Sequence, residues 1–207
     1  MTEVTGSELK RVLDDTYKKT SDIVKNGNDH ISFDGSGQHT HKLDMDLSTD
    51  RHKVYAPIDG LKHKPIIAYR GTANKRKDVV SDIALAFGLE KHNKRFKNSK
   101  KVNEQVKKKY QTDSNILVGH SLGGSLAEKS KKAADKVITY NKGAGLGDIG
   151  KKIGKNQLDI RHKNDLVSLL ANTQKSRKIQ LRSKSNGLLD NHRIRHIEKS
   201  IRKKIKL

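Results

Sequence analysis

A serine with glycines two positions away on either side is the clearest chemical statement in this chain: Gly119-His120-Ser121-Leu122-Gly123, with Gly124 following. The pattern G-x-S-x-G has a steric logic. A strand turns sharply into a helix with the serine at the tip, and the flanking residues pass so close that side chains would collide. The apolar Ile116-Leu117-Val118 before it suits a buried strand, and the residues from Ser125 onward suit a helix. A hydroxyl held this way stands above the sheet, where the following helix N-terminus favours developing negative charge. An alcohol becomes a useful nucleophile once a neutral imidazole takes its proton and a carboxylate holds that imidazole. The plainer alternative is a glycine-rich turn with an inert serine. The chain has 10 His and 23 Asp and Glu to draw on, and no Cys, which excludes thiolate nucleophiles, disulfides and thiolate metal sites.

The elements that must position Ser121 read as short apolar runs alternating with helical spacing. Leu9, Val12, Leu13, Tyr17, Ile23 and Val24 predict an amphipathic helix over residues 7–25. Leu43, Met45 and Leu47 alternate with polar neighbours and predict a half-exposed strand. Ile66-Ile67-Ala68-Tyr69 after Pro65 is a buried strand, while Val79, Val80, Ile83, Ala84 and Phe87 return to helical spacing. A basic helix with Val102, Val106 and Tyr110 on one face follows. Beyond the serine, a helix over 125–133 leads to strands over 136–140, 157–160 and 178–181, and a basic helix over 194–205 closes the chain. Such alternation implies an α/β fold, a mainly parallel sheet with helices on both faces, and 207 residues fit a single domain.

Together with Tyr69-Arg70-Gly71-Thr72 and Asp78-Val79-Val80-Ser81-Asp82, the glycine-serine block resembles the class 3 lipases. The likeness runs from about Val54 to about Ile197, leaving an N-terminal helix over residues 1–26 and the last few residues outside it. It implies an α/β-hydrolase fold and a lipase or phospholipase A1-like activity on carboxylic esters of glycerolipids or phospholipids, through a Ser-His-Asp triad and an acyl-enzyme. It also implies roles. Thr72 stands where the family places its oxyanion residue, so its N–H and that of Leu122 would bind the oxygen of a tetrahedral intermediate. Residues 75–88 resemble the family's helical lid, although a core helix is the alternative and the absence of Trp departs from many members. The fold's chain order is serine, acid, base. Asn164-Asp165-Leu166-Val167 resembles the family's acid segment and makes Asp165 the acid, ahead of Asp159 and Asp148. After Asp165 only His192 and His196 remain; Asn191-His192-Arg193-Ile194 fits the family's base, with His196 as the alternative. His120, the residue before the serine, is expected to point away from the site.

The net charge of +22 should attract polyanions, and the expected partners are a lipid ester substrate and, peripherally, anionic membrane surfaces. A lysine-rich but untargeted surface is the bland alternative, and a catalytically inactive basic module for membrane or nucleic acid is the rival function. Few aromatics for base stacking and no nucleic-acid motif argue against the latter. Gly145-Leu146-Gly147-Asp148-Ile149-Gly150 fits nucleotide-binding spacings, but Lys152 stands where a P-loop needs Ser or Thr. His39, Thr40, His41, Asp44 and Asp46 read as a polar loop ahead of a metal cluster. The expected chemistry calls for no metal or cofactor. No signal peptide or membrane span is apparent, so a soluble protein is expected, and nothing fixes its oligomeric state.

Overall fold

The computed structural model describes residues 3–58, 60, 62–72, 90–145, 148–165, 167–182, 190–201 and 204–206. The elements are, in chain order, β1 (Glu3–Val4), α1 (Gly6–Asp15), α2 (Thr20–Lys25), β2 (His30–Ile31), β3 (His41–Leu43), β4 (His52–Pro57) and β5 (Ile66–Tyr69). There follow α3 (Glu90–Lys109), β6 (Ile116–His120), α4 (Leu122–Ser130), β7 (Lys136–Tyr140), β8 (Gln157–His162), β9 (Arg177–Leu181), α5 (Ile197–Ser200) and β10 (Ile205–Lys206). Strands β2 to β9 form one sheet in sequential order. The pairs from β2 to β5 are antiparallel and those from β5 to β9 are parallel. The protein therefore has the mostly parallel, helix-flanked sheet of an α/β-hydrolase.

Period-two alternation sorts the central strands into two layers. Ile66, Ala68, Ile116, Val118, Ile138, Tyr140, Leu158 and Ile160 pack with Leu9, Val12 and Leu13 of α1. Ile67, Tyr69, Leu117 and Val137 point the other way and meet Val102 and Val106 of α3 and Leu126 and Ala127 of α4. Strands covered on both faces read as continuous apolar runs, which is why these were visible in the sequence.

Four expectations need correcting. The helix over 7–25 is two helices, because the chain turns at Thr16, whose Oγ1 donates to the Leu13 carbonyl at 2.7 Å. The strand over 43–47 ends at Leu43: the Asp44 carboxylate accepts from the N–H groups of Asp46 (3.0 Å) and Leu47 (3.1 Å) and curls the chain into a turn. The closing helix keeps only one α-helical turn, Ile197–Ser200. Beyond it β10 pairs with β1, Val4 opposite Ile205. Strand β4 was missed because Lys53 interrupts its apolar pattern. Lys53 is nonetheless fully buried, its Nζ donating to Thr20 Oγ1 (2.9 Å) and the Thr49 carbonyl (2.8 Å). The expected lid over 75–88 lies outside the described residues.

Candidate active site

Strand β6 delivers Ser121 into a tight corner before α4. Its backbone sits at φ 57° and ψ −128°, a conformation L-residues avoid and one that costs about 1–3 kcal/mol. Three contacts hold it there: Ser121 N–H to the Tyr140 carbonyl at 3.1 Å, and the N–H groups of Gly124 (3.0 Å) and Gly143 (3.2 Å) to the Ser121 carbonyl. The glycines are needed for space. A Cβ on Gly119 would stand 2.1 Å from the Gly123 carbonyl oxygen, one on Gly123 2.1 Å from the Tyr69 carbonyl oxygen, and one on Gly124 2.6 Å from Lys142 Cβ.

Asp165 follows β8 and His192 ends a short 3-10 turn, Asp190–His192. The structure brings the two together: His192 Nδ1 donates to Asp165 Oδ1 at 2.9 Å, and both are buried. Burial pushes the Asp165 carboxyl up, but the His192 hydrogen bond and charge and the Ser168 hydrogen bonding outweigh it and hold it below the usual carboxylate value. An ionised carboxylate on Nδ1 fixes the imidazole as the Nδ1–H tautomer and leaves Nε2 as a bare acceptor. His192 Nε2 and Ser121 Oγ are both buried with no hydrogen-bond partner among the described residues. Asn141, at φ 43° after β7, ties this turn to the sheet, its side chain donating to the Asn191 carbonyl (2.7 Å) and accepting from His162 N–H (2.9 Å).

The alternatives for acid and base are engaged elsewhere. Asp159 pairs with Lys142 at 3.0 Å, Asp148 with Lys129 at 3.3 Å, and His196 Nε2 lies 3.3 Å from Asp190. Leu122 opens α4, so its N–H has no acceptor within the helix. The Gly71-Thr72 loop presses on the same corner, since a Cβ on Gly71 would meet Ser121 Cβ at 3.3 Å.

His120 does not point away as the sequence suggested. Its ring lies 4.6 Å from that of His192, and its Nε2 donates to the His192 carbonyl at 2.7 Å. Its Nδ1 faces the Tyr17 hydroxyl at 3.2 Å, and that hydroxyl also accepts from the Gly71 N–H. Burial, with the neighbouring His192 charge, lowers His120 to about 3 and keeps it neutral. Burial raises Tyr17 to about 12, so the phenol keeps its proton. Tyr17 and His120 thus link the loop carrying Thr72 to the turn carrying His192. No sequence signal revealed this, because Tyr17 comes from the segment after α1, far from any motif.

The rival sites do not assemble among the described residues. Leu146 and Gly147 of the nucleotide-binding spacing lie outside the described residues, and from Asp148 the chain runs through a turn to the isolated bridge at Lys152. Asp44 is taken up by Tyr110 and Lys109, and His41 by Thr40 and the Lys64 carbonyl.

Residues 11–162, well over half the chain, match the Tle-like phospholipase domain, a phospholipase-like family. The chain belongs to that family. Membership makes this Tle-like domain class 3 lipase-like and places it among the lipid ester hydrolases. The Tle-like match starts inside α1, earlier than the resemblance in the sequence suggested. It ends with β8, so it contains Tyr17 and Ser121 but stops short of Asp165 and His192. Among solved structures, a mutant MDLA of Penicillium cyclopium is 17% identical with a TM-score of 0.49, covering 88% of this chain and 80% of that one. Lipase II from Rhizopus niveus is 14% identical (TM-score 0.47, 89% and 83% covered). Lip2 lipase from Yarrowia lipolytica is 16% identical (TM-score 0.46, 87% and 83% covered). Similarity at this level adds nothing to the argument about chemistry. No curated protein sequence matches the chain significantly. No helix among the described residues is long and apolar enough to cross a membrane.

Proposed function

We propose that the chain is a serine hydrolase of glycerolipid carboxylic esters, phospholipids included, working through Ser121, His192 and Asp165. His192 Nε2 takes the Ser121 proton as Oγ attacks the ester carbonyl, and Asp165 stabilises the imidazolium that results. The N–H groups of Leu122 and Thr72 hold the oxyanion, each such donor contributing about 2.7–4 kcal/mol of transition-state stabilisation. The alcohol leaves with the proton from His192, and water repeats the sequence on the acyl-enzyme, with no step that calls on a metal or organic cofactor. The observation that carries this reading is an imidazole locked by a carboxylate on Nδ1, together with a serine on a strained corner, His192 Nε2 and Ser121 Oγ both being buried without a partner among the described residues. The net charge of +22 supports peripheral contact with anionic lipid surfaces, weakened by salt. Labelling with a fluorophosphonate tests the reading. The parent should form an adduct on Ser121, Ser121→Ala none, and His192→Ala one that forms far more slowly. A parent that stays unlabelled while folded would overturn it.

A further inference from the structure

On the side of Ser121 away from β7 and β8, a cavity of about 370 Å³ opens between the start of β4, the end of β5, the first half of α3, and α4. That size is in the range of small-ligand sites. Its walls include Arg51, His52, Tyr69, Arg95 and Asn98. Burial lowers the His52 imidazole, which is therefore neutral and contributes no charge.

Arg70 stands behind this wall and binds it together. Its N–H donates to the Arg51 carbonyl (3.0 Å), its Nη1 to the Asp50 carbonyl (3.0 Å), and its own carbonyl accepts from Arg95 Nη2 (2.6 Å). The guanidinium carbon lies 5.5 Å over the Tyr17 ring, and Arg70 Nε is buried without a partner among the described residues. Three guanidiniums are thus gathered with no carboxylate in ion-pair range among the described residues. Asp50 is on the wall but offers Arg70 only its main-chain oxygen. Burial, then the like charges of Arg51 and Arg70, set against Tyr17, push the Arg95 guanidinium down. Elsewhere Arg11 pairs with Asp15 (2.9 Å), Lys107 with Asp135 (2.8 Å) and Lys109 with Asp44 (2.8 Å), while the single buried cations Lys53 and Arg161 are met by hydroxyl or carbonyl oxygens. Gathered like charges attract an anion of matching geometry, and guanidiniums grip phosphate oxygens in pairs.

The cavity is tied to the corner of Ser121: Tyr69 lines it, Arg70 holds its wall, and a Cβ on Gly71 would meet Ser121 Cβ at 3.3 Å. Strand β5 neighbours β6 in the sheet, and adjacent strands run about 4.8 Å apart, a gap that a glycerol backbone bridges. Arg70 directly precedes the Gly71-Thr72 loop, whereas Asp165 and His192 approach from the opposite side. We infer that this cavity is a subsite for the phosphate of a glycerophospholipid, gripped by Arg51 and Arg95 with Arg70 behind them, while the ester lies across Ser121. The inference rests on the serine hydrolase reading and names its substrate class.

The test has a kinetic arm and a binding arm. In the first, Arg51→Gln/Arg95→Gln is assayed on monomeric dihexanoyl phosphatidylglycerol and on uncharged dihexanoylglycerol. The kcat/KM ratio of the first to the second should fall about tenfold or more, the scale of a lost charge-assisted hydrogen bond. Lys100→Gln/Lys101→Gln, exposed on α3, removes equal charge and should leave the ratio unchanged. In the second, calorimetry on Ser121→Ala should show glycerol 3-phosphate binding that the two arginine substitutions weaken at least tenfold. Equal losses on both lipids, or no binding, would overturn the subsite. Inorganic phosphate binding with an unchanged lipid ratio would make it a free-anion site and overturn the headgroup assignment. Binding that depends on the arginines in a protein whose Ser121 does not label would sink the hydrolase reading and leave the anion site standing.

Discussion

The cations on the two sides of helix α4 are treated in opposite ways. On one side Lys142, its side chain 2% exposed, lies between Glu128 and Asp159, and Gln157 bonds to both carboxylates (2.8 and 2.9 Å). Thr139 adds a bond to Asp159 at 2.7 Å. Burial pushes the Asp159 carboxyl up, but Lys142 and the hydroxyls and amide around it hold it below the usual value. On the other side Arg51, Arg70 and Arg95 gather, and among the described residues carbonyl oxygens and a tyrosine ring are what meet the Arg70 and Arg95 guanidiniums. Lys142 is answered within the chain by two carboxylates and needs no further anion. The arginine group has no carboxylate in ion-pair range among the described residues. Charge alone, at +22, could not separate a structural cation from one awaiting a ligand. The partners do.

The largest expected effect lies away from both groups and separates chemistry from headgroup binding. Asp165→Asn removes the carboxylate that sets the His192 tautomer, and kcat on a soluble ester should fall about 10⁴-fold. Glycerol 3-phosphate affinity, measured in the same variant, should stay within about twofold of the parent, because the arginines lie across the elbow. A parallel loss of both would show that the two sides of Ser121 are not independent.

Lys142→Met acts on the balanced group. It leaves Glu128 and Asp159 buried without their cation, and urea unfolding should show a loss of about 3–5 kcal/mol. A change under about 1 kcal/mol would mean that the network relaxes or takes up protons instead, and that its balance is not structural.

Legibility in the sequence followed the same division between local rules and distant partners. The elbow was readable because its glycines answer a local collision, Gly119 against Gly123 and Gly123 against the Tyr69 carbonyl. The buried strands β5 to β8 were readable because both faces are covered or nearly so. Strand β4 was hidden by Lys53, whose burial depends on a hydroxyl from α2. The Leu43-Met45-Leu47 alternation imitated a strand that a single Asp44 carboxylate bends away. His120 was misdirected because, at the tip of a strained strand, side-chain direction is set by what packs above it. Here those neighbours are Tyr17 and His192. The two arginine neighbours of Arg70 come from β4's start and from α3, so no window of sequence shows the three together.

His120 gives a pH dependence of intermediate size. Its folded pKa of about 3 lies below the unfolded histidine value of about 6.5, so the unfolded chain binds the extra proton. Stability is whole above that unfolded value and is lost as pH falls toward the folded one, about 2 kcal/mol by pH 5 from this group. His52 and Asp165 are lowered too, so their contributions are also lost as pH falls, that of Asp165 at lower pH, and a comparison is needed. Between pH 7 and 5, His120→Gln should lose less stability than the parent in urea titrations. Parallel slopes would mean that the ring is not held neutral beside His192.

The smallest effect is the sharpest test of the comparison. Arg95 is half-buried and meets two like charges without an acid among the described residues, so Arg95→Gln should change stability by less than about 0.5 kcal/mol or raise it slightly. Set beside the loss at Lys142, the difference in sign or size isolates the missing counter-charge, since both substitutions remove one cation next to the same helix. Excess phosphate should then raise the parent's melting temperature through binding to the folded state, and raise that of Arg95→Gln less. If Arg95→Gln instead destabilised as strongly as Lys142→Met, the guanidinium would be a structural cation whose balance lies in the main-chain oxygens around it. The cavity would then have no call on an anion.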